Sequence, residues 1–217
     1  LEAKEIDRYR GCLALEHVAK ALRIHTLVAF TAFEIYHTIV FQHIPEPELL
    51  SITAGASIVF ASKIHTDSIP LCPLRKVAVA VHRYMQLDAE QQSVPDEIAT
   101  KAKIADAEFS IPTHLCYDFA SVSLPPMYTG GLLFTIGAAL NIAAPVLDKA
   151  TKILKDEAYK YSHLCITVSP TVICAAALLL GSVKEDVHTL LAELPRLDVT
   201  IAEVKEVAAR LRKIKTI

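Results

Sequence analysis

Ile52–Lys63 reads ITAGASIVFASK: eleven uncharged positions, rich in Ala, Gly and Ser, closed by a single Lys. Helical periodicity dominates the surrounding chain, and strand alternation is nearly absent. Small side chains along a helix let neighbouring helices approach closely, which is what a central helix ringed by others requires. A second stretch, CAAALLLGSVK at Cys174–Lys184, has the same character and also ends in Lys. Downstream of the first, Glu108–Phe119 reads EFSIPTHLCYDF, one acid followed by an apolar pattern that runs into Tyr117 and Asp118.

Working outward, the spacing of apolar residues predicts a first helix over about Asp7–Leu22 and a second from His25 or Thr26 to about Phe41. The turn HIPEPE follows, and Pro47 is placed to start a third helix ending near Lys63. After Pro70 and Pro73, a helix is expected around Leu74–Met85, then a polar loop over Gln86–Val94. Asp96 opens the next helix, which carries Ile104, Glu108 and Ile111. Pro112 lies inside it, where it removes one backbone hydrogen bond and is expected to kink the helix. Ser121–Pro126 reads as a linker. Beyond it, helices are expected at about Met127–Ala144, Leu147–Ser162, Pro170–Val183 and Thr200–Ile217, with a short one after Lys184. The expectation is therefore an all-α chain of two tandem repeats of about five helices, over residues 1–120 and 121–217.

Composition excludes several classes of function. A chain of 217 residues with 53 % hydrophobic content can bury a sizeable core in one large or two small domains. Its formal net charge of −2 is a poor start for affinity built on phosphate neutralisation. Cys12, Cys72, Cys116, Cys165 and Cys174 are odd in number and form no CxxC pair, so they read as buried thiols of a reducing compartment. The opening LEAKEIDRYR is charged and carries no secretory pattern. Uncharged runs lie between Asp118 and Asp148 and between His163 and Lys184. The first is broken by Pro125, Pro126 and Pro145. In the second, Ser169-Pro170 marks a helix start and leaves too few residues for a span of about 20. Both read as core helices. His17/His25, His37/His43 and His163/His188 lack the spacing of metal sites, and no HExxH, GxSxG or phosphate-binding glycine loop occurs. No catalytic or metal site and no cofactor are expected, and the isolated chain is expected to be a soluble monomer.

Lys63 and Glu108, in this order and spacing, resemble the Lys that ends the third helix and the Glu of the fifth helix in a cyclin box. LRIHTLVAFTAFEIYHTIVF keeps Leu22, Ile24, Leu27, Thr31, Ala32 and His37 in the spacing of transcription-type cyclins of the T, K and L kinds. The long gap from Lys63 to Glu108 is also similar to theirs, and VSPTVICAAALLL resembles the Pro-led third helix of their second repeat. The resemblance spans about Tyr9–Val183. It departs from the family at His37-Thr38-Ile39-Val40, where a His-Arg-Phe-Tyr run is usual, at Ile64-His65-Thr66-Asp67, where acids are usual, and at Pro112. The first helix reads YRGCLALEH and the chain has no Trp, so the substrate-peptide groove of cell-cycle cyclins is not expected.

This resemblance implies a non-catalytic regulatory subunit that binds and activates a cyclin-dependent kinase, transcription-linked and nuclear. ATP and its metal would belong to the kinase, and no nucleic acid or membrane partner is implied. Kinase-binding residues carried over from the resemblance are Lys63, Glu108, Ile64 and Tyr117, with Tyr117 where Phe is more usual. A rival reading is a TFIIB-like general transcription factor, which would use the same paired helical fold to bind DNA and protein. Its basic face is not evident: Lys205, Arg210, Arg212, Lys213 and Lys215 cluster only near the end of the sequence, spaced like one solvated helix face. A bare helical scaffold is the third possibility.

Overall fold

The computed structural model describes residues 3–42, 45–67, 69–87, 96–118, 125–160, 162–182 and 184–214. Among them are eleven α-helices and no strand, so the all-α expectation holds. The chain divides into two compact units, Leu1–Ser123 and Leu124–Ile217. No helix among the described residues is long and apolar enough to cross a membrane.

In the first unit, α1 (Ala3–Ala21), α2 (Thr26–Gln42), α4 (Leu74–Leu87) and α5 (Glu97–His114) all pack on α3 (Leu50–Ile64). The reason lies in its side chains. Twelve of its residues are buried, Ser51, Thr53, Gly55, Ala56 and Ser57 among them. The hydroxyls that this brings into the core are satisfied locally: Thr53 Oγ1 donates to the Leu49 carbonyl and Ser57 Oγ to that of Thr53, each at 2.9 Å. At Gly55 a Cβ would stand 2.8 Å from Val81 Cγ2 on α4 and 3.2 Å from Ile104 Cδ1 on α5. Pro47 starts a single 3₁₀ turn, Pro47–Leu49, and the α-helix itself begins at Leu50, three residues later than the Pro signal suggests.

In the second unit the same role falls to α9 (Pro170–Gly181), which packs against α6 (Pro125–Ala139), α7 (Ala144–Ile153), α8 (Leu164–Thr167), α10 (Lys184–Glu193) and α11 (Ile201–Ile214). Val172–Leu178 and Gly181 are buried. Ser169 caps its start, accepting from the Val172 amide at 3.4 Å, with Pro170 in the first turn. Gly181 faces backbone: a Cβ there would stand 2.9 Å from the Val146 carbonyl oxygen and 3.3 Å from the Ala150 amide nitrogen of α7. Close packing thus depends on a missing side chain at one place in each central helix.

Helix ends differ from the sequence expectation where the backbone turns left-handed. Arg23, Cys116, Asn141 and Asp198 have φ of 50°, 51°, 51° and 58°. Each closes a helix with a paired set of bonds; at Asn141, its own amide reaches the Ala138 carbonyl and the Ile142 amide reaches that of Gly137. The helix expected over Met127–Ala144 therefore stops at Ala139, and α7 starts at Ala144 with Pro145 in its first turn. The helix expected over Leu147–Ser162 widens into a π-helical stretch, Leu154–Lys160, and is followed by the short α8, which the periodicity does not reveal. The polar segment after Leu87 and most of the Ser121–Pro126 linker lie outside the described residues, but Pro125 belongs to α6.

Candidate protein-docking site

Lys63 is the next-to-last residue of α3, and Glu108 lies in α5, which packs directly on α3. Their side chains meet: Lys63 Nζ donates to Glu108 Oε1 at 2.6 Å, across 45 residues of sequence. The pair is asymmetric. The Glu108 side chain is 14 % exposed and that of Lys63 51 %. The carboxylate is thus the anchor, and the ammonium projects outward with donors to spare. With the ammonium half-exposed, the pair contributes only about 0–1 kcal/mol to the fold of the free chain.

Several contacts fix the end of α3 that carries Lys63. Ser62 Oγ donates to the Val59 carbonyl at 2.8 Å and accepts from the Cys72 amide at 3.3 Å, tying the helix to the loop before α4. His65, the residue after α3, shares a 2.8 Å hydrogen bond with buried Thr31 of α2. Burial pushes the His65 pKa down, and neighbouring His25 pushes it further the same way. The Thr66 hydroxyl donates to the Lys63 carbonyl at 3.2 Å. The Lys63 backbone is therefore held in place within the free chain.

On α5, Asp96 accepts from the Ala99 amide at 2.7 Å and caps the start of the helix, as its sequence position predicts. Pro112 does not end α5, which continues to His114. Having no N–H, Pro112 leaves the Glu108 carbonyl without its usual donor four residues on. The helix then closes left-handed: the Cys116 amide bonds the Thr113 carbonyl and the Tyr117 amide that of Pro112. Cys116 and Tyr117 both have positive φ, 51° and 60°.

Of the four sequence-derived residues, Lys63 and Glu108 are brought into contact. Ile64 follows in the last turn of α3 and is half-buried. Tyr117 is 70 % exposed on the turn beyond α5, nine residues after Glu108, and is not part of the ion pair. One cysteine expectation is corrected. Cys116 is exposed, because its left-handed position at the helix end turns it outward, while Cys12 and Cys174 are buried and Cys72 and Cys165 half-buried. None of the five forms a disulfide.

Sequence reasoning missed three features of the first unit. Phe109, beside Glu108, is 88 % exposed, and Ile98 on the same helix is 81 % exposed. Glu34 of α2 is 4 % exposed, its Oε2 has no hydrogen-bond partner among the described residues, and burial raises its pKa to about 9. The available signal was a lone acid inside LVAFTAFEIYHTIVF, which has no other carboxylate. No group of three His, Cys, Asp or Glu placed to hold a metal occurs among the described residues. Comparison with protein-family models and with curated proteins finds no match for this chain.

Proposed function

We propose that the chain is a cyclin-like regulatory subunit that binds and activates a cyclin-dependent kinase of the transcription-linked, nuclear kind. The observation that carries this reading is the Lys63–Glu108 pair, closed at 2.6 Å at the end of a central helix surrounded by four others. Glu108 holds the ammonium so that its remaining N–H groups donate to backbone carbonyls of the kinase. Charge-assisted bonds of this type strengthen as the partner excludes water. Ile64 and Tyr117 supply apolar contacts around them. Phosphoryl transfer takes place on the kinase, where a strand Lys must pair with a Glu on helix αC. A subunit that packs against αC favours its inward position and so shifts the kinase population toward the active state.

The reading is tested by using the tagged chain to capture kinases from a nuclear extract and identifying them, and in parallel measuring binding to promoter DNA. Stoichiometric recovery of a cyclin-dependent kinase without DNA binding is the expected result. Recovery of no kinase, together with salt-sensitive DNA binding, would replace it with the TFIIB-like reading.

A further inference from the structure

Phe109 and Ile98 are the most exposed large apolar side chains among the described residues. They belong to one stripe. Ile98, Ala102, Ala105 and Phe109 recur at spacings of four, three and four on α5, which at 3.6 residues per turn keeps them within about 60° of arc. Ala102 is exposed and Ala105 half-buried, so the middle of the stripe is small and its two ends are large. Large exposed apolar groups aligned as a helix seam mark a docking face.

We propose that this seam pairs with the same seam of a second copy of the chain, the two α5 helices running antiparallel about a twofold axis. Among antiparallel registers, one matches the large ends and the small middle of the stripe together. Setting Ala102 against Ala105 of the second copy sets Ile98 against its Phe109, and the twofold repeats both pairings. Two Ala layers at the centre allow the helix axes to approach to about 8 Å, the close end of the usual range. Charge favours the same arrangement. Lys101 and Glu108 lie on one flank of the stripe, seven residues apart, and the antiparallel pairing places each Lys101 across from Glu108 of the other copy. A parallel pair would instead carry these flanks of the two copies to opposite sides, out of reach of each other. Glu108 can serve both cations, because Lys63 engages Oε1 and leaves Oε2 for Lys101.

A single helix pair covers less than the roughly 800 Å² per partner of a standard interface, so the dimer is weak and concentration-dependent. This departs from the monomer that the sequence suggests. The seam stands independently of the kinase reading. Should both hold, the dimer and the kinase complex compete for the face beside Glu108, and self-association stores the chain in an inactive form.

The test is sedimentation velocity of the full chain from low to high micromolar concentration, with no kinase present. Wild type should shift from monomer to dimer across that range. Ile98→Lys and Phe109→Glu should each remain monomeric throughout, while keeping the helical circular dichroism of the wild type, since both positions are solvent-exposed. The double variant Ile98→Lys/Phe109→Glu should dimerise again, because the antiparallel register places the two substituted positions opposite each other as an ion pair. A wild type that stays monomeric, single variants that dimerise like it, or a double variant that fails to recover each overturn the proposal.

Discussion

Lys63 and Glu108 work as one unit, and their substitutions should show it. Lys63→Ala or Glu108→Ala is expected to cost about 2–4 kcal/mol of kinase affinity, the range for truncating one member of a desolvated charge pair. The double variant should lose much less than the sum, as measured by titration calorimetry against the captured kinase. Neither change should move the stability of the free chain by more than about 1 kcal/mol, because the Lys63 ammonium is half-exposed there. Glu34 makes a separate prediction about pH. Its folded pKa of about 9 stands above its usual value of 4.5 because burial disfavours the carboxylate. The unfolded chain therefore releases this proton first, and stability that is complete below about pH 4.5 declines as pH rises toward 9. Glu34→Gln should remove that decline and raise the urea midpoint at pH 8.5 more than at pH 5.5. An unchanged pH slope would show that Glu34 is ionised in the folded chain.

At the scale of single elements, α3 and α9 were the most legible parts of the sequence. Small residues in ITAGASIVFASK and CAAALLLGSVK mark helices that others surround, and both turn out to be the packing centres of their units. Gly181 makes this testable. An added Cβ meets backbone atoms of α7, which cannot move aside as a side chain can. Gly181→Ala should cost about 1–3 kcal/mol by overpacking despite the better helix propensity of Ala. At Gly131 of α6, an added methyl would meet nothing within 4 Å, so Gly131→Ala should be neutral or stabilise by up to about 1 kcal/mol. Thermal unfolding of the two variants reads the difference directly. Helix ends were less legible. Asn141 is a recognisable stop, but Arg23, Cys116 and Asp198 take the left-handed position without the Gly that usually marks it. The π-helical stretch Leu154–Lys160 was not legible either, since seven residues are too few for apolar spacing to tell a π-helix from an α-helix.

For the whole molecule, fold class was readable because apolar positions recur at helical spacing from α1 to α11, and circular dichroism of the full chain should show helix minima with no strand contribution. Part of the candidate site was readable too. The Lys63–Glu108 pair was found through a resemblance in order and spacing, not through local pattern, and the structure closes the contact. The exposed Phe109 and Ile98 were not found, because an apolar residue on a helix reads as core until the neighbouring helices are in place. The central claim is that this chain activates a kinase through that pair. Its most direct measurement is the phosphorylation rate of a substrate peptide by the captured kinase, stripped of its subunit and then supplied with purified wild-type or Lys63→Glu chain. A large rise in rate with wild type, and little with Lys63→Glu at equal concentration, is the expected result. Equal stimulation by both chains, or by neither, would contradict it.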